Sequence, residues 1–170
     1  MKHESIREFA KGYAEMAHSP AQEEKRLLWK GLNSFRFQRP LIYVRAIPYH
    51  EFFDFSVIKS KEPLLRHIET ILATSVLFRQ KLKDDFIFEP WVTVRAKFTD
   101  DEHKRWGLPC SLGEKTMAHG AAAYIPQIIN EEDIEKLKLL KCEIDEKATA
   151  ERMEKVQEAL GGILDVVCDR

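Results

Sequence analysis

The segment between Arg39 and Glu51 constrains the fold most strongly, because an apolar run inside it is bounded by a proline and by charged side chains. Arg39-Pro40 stops any preceding helix, and residues 41–47 are apolar on both faces apart from Arg45. Such a run is typical of a buried parallel strand. Arg45, His50 and Glu51 then lie at or just past the predicted strand end, which is where α/β enzymes place their sites.

A strand, a long helix and a second strand are predicted in succession. Apolar residues at helical spacing predict a helix over 62–82, and Phe86-Ile87-Phe88 predicts a short strand that ends in Glu89-Pro90-Trp91. A βαβ unit of this kind pairs its strands in parallel.

Adjacent parallel strands lie about 4.8 Å apart, so the ends of the two predicted strands are expected to meet. The predicted ligand site therefore consists of Arg45, His50, Glu51, Glu89 and Trp91. Arg45 would bind an anion or a methyl donor, His50 or Glu89 would handle a proton, and Trp91 would form an aromatic wall. A structural alternative stays open, in which Arg45 pairs with Glu89 and His50 is a surface loop residue.

The remaining segments complete a prediction of an α/β fold. Two helices that meet at Ser19, with Gln22 as its capping partner, form an N-terminal helical segment over residues 1–38. Residues 39–170 form a partial (β/α) barrel-like domain with three parallel strands. Residues 92–128 supply a hairpin insertion, two helices begin at Asn130 and Asp145, and 163–168 is the third strand.

Charge and composition exclude several classes of function. The 27 basic and 28 acidic side chains give a formal net charge of -1, which predicts no nucleic-acid binding. No apolar run approaches the roughly 20 residues that cross a bilayer, so no membrane partner is expected. Cys110, Cys142 and Cys168 have unrelated spacings and no secretory segment precedes them, which predicts a cytoplasmic protein. The irregular spacing of His50, His103, Cys110 and His119 argues against a metal site.

Several motifs together resemble the N-terminal part of the uroporphyrinogen decarboxylase superfamily. They are Trp29-x-x-x-Asn33, Arg39-Pro40 with its strand and Arg45, the 62–82 helix, the Ile-Phe-Glu-Pro-Trp strand end and Trp106-Gly107-Leu108. More narrowly, the chain is similar to the branch grouped with corrinoid-dependent methyltransferases. The resemblance implies a barrel fold, methyl transfer and a corrinoid protein as partner.

Two departures from the family pattern limit what the resemblance implies. Arg45 matches the first arginine of the decarboxylase loop, but residues 46–52 lack the second, and Pro90 beside Glu89 occupies the aspartate position. Decarboxylation of a porphyrinogen is therefore not expected. A barrel has eight strands, whereas three are predicted here. Methyl transfer is thus expected only when the missing barrel half, which would carry the family's zinc ligands, completes the domain.

The expected function is binding of a small methylated or anionic ligand by part of such a methyltransferase. The alternative, from a different class, is a non-catalytic α/β module that uses an exposed sheet edge and Phe52, Phe53 and Phe55 to bind a partner. An open three-stranded parallel sheet would leave apolar edges, so a homo-oligomer is expected.

Overall fold

The computed structural model describes residues 3–36, 39–45, 51, 53–79, 81–99, 105–117, 120–139 and 143–170. The helices within these ranges are α1 (Glu4–Ala17), α2 (Pro20–Asn33), α3 (Pro63–Arg79) and α4 (Glu146–Leu160), and the strands are β1 (Trp91–Arg95), β2 (Ser111–Leu112), β3 (Tyr124–Ile125) and β4 (Asp165–Asp169). The predicted mixture of helices and strands is confirmed. None of the helices in the described ranges is long and apolar enough to cross a membrane.

Chain contacts divide the protein into two compact units. Unit 1 comprises residues 1–95 and 150–169, and unit 2 comprises residues 96–149 and Arg170.

The core of unit 1 forms where helix α1 packs on helix α3. Ile6, Ala10, Tyr13 and Ala17 recur every three or four residues along α1, and all four are buried as their spacing predicts. They share one cluster with Leu65, Ile68, Leu72 and Val76 of α3 and with Val156, Ala159 and Leu160 of α4. The predicted long helix is therefore confirmed, although it ends at Arg79 and leaves Leu82 outside.

Helices α1 and α2 meet at Ser19 as predicted, with Pro20 at the first position of α2. The predicted capping partnership between Ser19 and Gln22 is wrong. The Ser19 hydroxyl donates to the carbonyl oxygen of Met16, and Gln22 Oε1 accepts a hydrogen bond from the Phe88 N–H at 2.9 Å. Gln22 thus joins α2 to a distant segment.

Strands β1 and β4 form a two-stranded parallel sheet. Their register runs from Trp91 opposite Asp165 to Arg95 opposite Asp169. Val92 and Val94 face the core, whereas Trp91, Thr93 and Arg95 lie on the exposed face. The described residues thus contain two parallel strands where three were predicted, and β4 confirms the last of the three.

The predicted strand over 41–47 is wrong for residues 41–45, which pair with no strand of the described residues, and residues 46 and 47 lie outside those residues. The N–H groups of Ile42 and Val44 donate to the carboxylates of Asp85 and Asp84 at 2.8 and 3.1 Å. Because side chains satisfy these backbone groups, the segment does not join a sheet. Ile42 and Tyr43 are more than half exposed, contrary to the prediction of a strand buried on both faces.

The second predicted strand, residues 86–88, begins instead at Trp91. Phe88 is buried, but its N–H donates to Gln22 and its carbonyl oxygen accepts a hydrogen bond from Arg26. Side chains of α2 therefore bind the N–H and the carbonyl oxygen of Phe88, which a neighbouring strand would otherwise bind. Pairing starts only beyond Pro90.

Unit 2 contains the predicted hairpin. Strands β2 and β3 pair antiparallel, with Ser111 opposite Ile125 and Leu112 opposite Tyr124. The helix predicted at Asn130 is a short 3-10 helix, Glu131–Lys136, and Ile134 is 55% exposed rather than packed.

Candidate functional site

Two adjacent aspartates, Asp84 and Asp85, bind the backbone just before Arg45, at Val44 and Ile42. Both terminal nitrogens of Arg39 donate to the Asp85 carboxylate, at 2.8 and 2.6 Å, and Trp29 Nε1 donates to the Asp85 carbonyl oxygen at 2.7 Å. Hydrogen bonds from Arg39 lower the pKa of Asp85 to about 2. Burial acts in the opposite direction, and the hydrogen bond from the Ile42 N–H lowers the pKa further. This carboxylate is therefore charged at neutral pH and serves as an anchor.

The second aspartate forms a buried ion pair. Asp84 accepts from Arg79 Nη1, while Arg79 Nη2 donates to the Val44 carbonyl oxygen at 2.7 Å. The guanidinium also stacks on Phe86, 4.1 Å from the ring centre. These contacts fix the backbone immediately before Arg45.

Of the predicted site residues, Glu89 and Trp91 line one groove, and Arg45 and Glu51 are not among the described residues that line it. Arg45, which directly follows the anchored Val44, is exposed, and Glu51 is exposed. His50 lies outside the described residues, so its predicted role stays a prediction.

Glu89 and Trp91 share a groove at the junction of helices α1 and α2. The groove has a volume of about 500 Å³, and its walls also include His18, Ser19, Pro20, Glu23 and Arg26. Glu89 and Trp91 were expected beyond the carboxyl end of a strand. They instead lie at the amino end of β1, because the strand starts at Trp91. The carboxyl ends of the two parallel strands carry Arg95 and Asp169, which are register partners.

Arg26 organises the charges of this groove. Its Nη2 donates to Glu89 Oε2 at 3.2 Å and to the Phe88 carbonyl oxygen at 3.1 Å, and its Nη1 lies 3.7 Å from Glu23. The side chain of Glu89 stays 34% exposed and that of Glu23 70% exposed. One guanidinium thus faces two carboxylates, both open to solvent.

His18 and Trp91 supply the uncharged walls. His18 Nδ1 lies 2.8 Å from the Ala14 carbonyl oxygen, which assigns the donor role to Nδ1 and leaves Nε2 as an acceptor in the neutral ring. Trp91 is 40% exposed and lines the groove. The arrangement combines an aromatic surface with excess negative charge, which suits binding rather than covalent chemistry.

Sequence reasoning missed the parts of the groove that come from α2. Arg26 and Glu23 belong to a charged helical face that is usually only solvated. No local pattern in the sequence indicates that Arg26 reaches Glu89, since the two residues are 63 positions apart.

No three His, Cys, Asp or Glu residues are grouped to hold a metal within the ranges that the structure describes. His103 and His119 lie outside those ranges. Cys110 and Cys168 are free thiols.

Comparison with protein-family models, with curated proteins and with solved structures finds no match.

Proposed function

We propose that the groove between α2 and the start of β1 binds a small methylated cation. The observation that carries this proposal is that Trp91, Glu23 and Glu89 line one groove. The face of an indole ring attracts cations, and quaternary ammonium groups are bound by aromatic side chains in this way. The carboxylates supply the compensating charge.

The charge balance favours a cation over an anion. Arg26 is the one arginine among the described residues of the groove wall, and it already contacts both carboxylates. An anionic ligand would have to displace these contacts and then face two negative groups. Arg45, which is exposed, is instead the proposed anion contact of the complete protein.

We further propose that the chain is the N-terminal part of a methyltransferase of the uroporphyrinogen decarboxylase superfamily. Strands β1 and β4 would belong to a (β/α) barrel that further strands complete, and a corrinoid protein would accept or donate the methyl group. The 170-residue chain should then bind the methylated ligand without transferring its methyl group. Incubation with a methylated donor and reduced cobalamin should yield no methylcobalamin, and its formation would show that no further strands are needed.

The ligand class is tested by calorimetric titration with choline and with 3,3-dimethyl-1-butanol, the uncharged carbon analogue of choline. We expect binding of choline alone. A cation over an aromatic ring contributes about 0.5–2 kcal/mol, so Trp91→Leu should weaken choline binding by about 2- to 30-fold. Glu89→Gln should weaken it by a similar factor.

Trp106→Leu is the matched control, because Trp106 is exposed and belongs to unit 2. It should leave choline binding unchanged. Equal affinity for the uncharged analogue, or equal losses in the Trp91 and Trp106 variants, would overturn the proposal.

A further inference from the structure

Positive charge is concentrated in one stretch of the sequence. Residues 25–50 contain six Lys and Arg residues and no Asp or Glu, although the whole chain carries 27 basic and 28 acidic side chains. The remaining residues therefore hold 21 basic and 28 acidic side chains, a net charge of −7. The prediction against nucleic-acid binding rested on the overall charge of −1, and that sum does not describe such a segregated distribution.

Hydrogen bonds place a second basic segment beside this stretch. The Asp85 N–H donates to the Ile42 carbonyl oxygen at 2.7 Å, and the Asp85 carboxylate accepts from the Ile42 N–H at 2.8 Å. Lys81 and Lys83, both exposed, precede Asp85 in the chain. Chain connectivity keeps the Cα of Lys83 within about 7 Å of that of Asp85, and the Cα of Arg45 within about 11 Å of that of Ile42. The two lysines therefore add to the positive charge around Arg45.

The aspartates of this region are neutralised within the fold. Asp85 pairs with Arg39, and the buried Asp84 pairs with Arg79. Four exposed cations form no ion pair with any residue that the structure describes; they are Arg36, Arg45, Lys81 and Lys83. This region is therefore left with an excess of positive charge.

Exposed aromatic rings lie among these cations. Phe35 is 92% exposed and directly precedes Arg36, which lines one hollow of about 240 Å³ together with Arg39. Tyr43 is 52% exposed, and the Arg79 guanidinium lies 5.0 Å from its ring centre. We call the two rings and the four unpaired cations the basic surface.

We infer that the basic surface binds single-stranded nucleic acid, with its cations on the phosphates and with Phe35 and Tyr43 stacked on bases. Interfaces with nucleic acid are much more positively charged than those between proteins, whose centres are depleted of charge. Binding to a membrane surface uses an amphipathic helix, whereas Arg45, Lys81 and Lys83 lie outside the helices. A duplex keeps its bases stacked on one another, so only a single strand offers them to the two rings. The inference does not depend on the ligand proposed for the groove.

The test is fluorescence anisotropy of a labelled single-stranded RNA of about 12 nucleotides, titrated with the full chain at about 50 and 200 mM salt. Four phosphate contacts predict a slope of about −2.8 for log K against log salt concentration, which is about a 50-fold loss of affinity over this range. Lys81→Gln/Lys83→Gln should weaken binding and reduce that loss to about 7-fold, because two of the four contacts are removed.

Lys59→Gln/Lys61→Gln is the matched control for charge. These two lysines are also exposed and have the same spacing, but they precede helix α3, whereas Lys81 and Lys83 follow it. The control variant should keep both the affinity of the parent chain and its salt dependence.

The aromatic contact is tested separately. Phe35→Ala should weaken binding by about 5- to 150-fold, the loss of one stacked base, and should leave the salt dependence unchanged. Trp106→Ala is the matched control, because Trp106 is also exposed and has the same φ of 56° but belongs to unit 2. Far-UV circular dichroism of every variant must match that of the parent chain, and Arg45→Gln replaces a lysine variant that fails this check.

An absence of binding at the lower salt concentration, or an affinity that salt does not change, would overturn the inference. Equal losses in the two lysine pairs, or in the Phe35 and Trp106 variants, would do the same. Equal binding of the same strand annealed to its complement would exclude base stacking. Tighter binding of polyglutamate, or of vesicles that contain phosphatidylserine, would show that the surface serves an acidic protein or a membrane instead.

Discussion

Arg39 and Asp85 form a two-point ion pair across 46 positions of sequence, with N···O distances of 2.8 and 2.6 Å. Asp85 also binds the N–H of Ile42, so one carboxylate holds both the side chain and the backbone of the segment that leads to Arg45. Removing this carboxylate would release the Arg39 side chain and leave the Ile42 N–H without this acceptor, while the contacts of Asp84 and Arg79 with Val44 would remain.

We expect Asp85→Asn to lower the free energy of unfolding by about 2 kcal/mol at pH 7, because a charged acceptor of several hydrogen bonds is lost. Urea denaturation measures the difference. Glu135→Gln, at an exposed position, is the control and should change stability by less than about 0.5 kcal/mol. A loss as small as that of the control would mean that the pair contributes little to stability.

The stability gap between the parent chain and Asp85→Asn should also depend on pH. The pKa of Asp85 falls from 3.8 to about 2 on folding, so its contribution is fully present above about pH 4. It is lost as the pH falls toward 2, where the folded state also takes up the proton. Denaturation between pH 2 and pH 7 should therefore show the gap closing at the acid end. A constant gap would contradict the ion-pair explanation.

Glu69 is a buried carboxylate that ties α3 to α1 and to the loop before α3. It accepts hydrogen bonds from Ser5 Oγ at 2.5 Å, from Ser60 N at 2.7 Å and from Lys59 N at 3.2 Å. Burial alone would raise the pKa of Glu69, but these hydrogen bonds outweigh burial and lower it.

Glu69→Gln should cost about 2–3 kcal/mol of unfolding free energy, because the amide brings N–H donors toward the backbone N–H groups. Ser5→Ala should cost only about 1 kcal/mol, since both backbone donors keep the carboxylate as acceptor. Thermal and urea denaturation give both values. The reverse order of the two losses would show that the Ser5 contact, and not the backbone contacts, dominates.

Two glycines should respond to alanine with opposite signs. Gly162 has a φ of +79° and an added Cβ would meet nothing within 4 Å, so Gly162→Ala should cost about 1 kcal/mol through backbone strain alone. Gly12 lies inside helix α1, where an added Cβ would make an ordinary 3.5 Å contact with Val76. Gly12→Ala should therefore stabilise the protein by about 0.5–1 kcal/mol. Melting temperatures that shift in the same direction would refute this assignment.

Replacement of Arg26 should change the affinity of the groove for choline. Arg26 occupies the carboxylates of Glu89 and Glu23, so Arg26→Gln should free them and strengthen choline binding by about 2- to 10-fold, equivalent to about 0.4–1.4 kcal/mol. Arg36→Gln, at an exposed arginine outside the groove, should leave the affinity unchanged. Calorimetry distinguishes the two variants. Weaker choline binding after Arg26→Gln would indicate that Arg26 shapes the groove instead of competing with the ligand.

Helices α1 to α4 were predictable because their signals are local. The spacing of Ile6, Ala10 and Tyr13 specifies one buried face, and Ser19-Pro20 marks a helix start without reference to any distant residue. The hairpin and β4 were found for the same reason. The two misplaced strands failed because their backbone groups bind side chains from far along the chain. Gln22 accepts a hydrogen bond from the N–H of Phe88, and Asp84 accepts one from the N–H of Val44.

The candidate site was predictable only in its residue types. Glu89 and Trp91 do lie together, and a strand end rich in charge and aromatic character was the signal for them. Arg26 was missed because a charged helical face does not indicate what its side chains will contact, and His18 was missed because it follows the last residue of α1 with no motif around it.

The amino-acid sequence by itself therefore determined helices α1 to α4, the hairpin and the chemistry available to a site, since periodicity, caps and residue types act over a few neighbouring positions. Only the tertiary structure decided which backbone segments became strands and which charges met. Hydrogen-bond partners 40 to 66 residues away competed with strand pairing at Val44 and Phe88, and each segment took the partners that packing brought within reach.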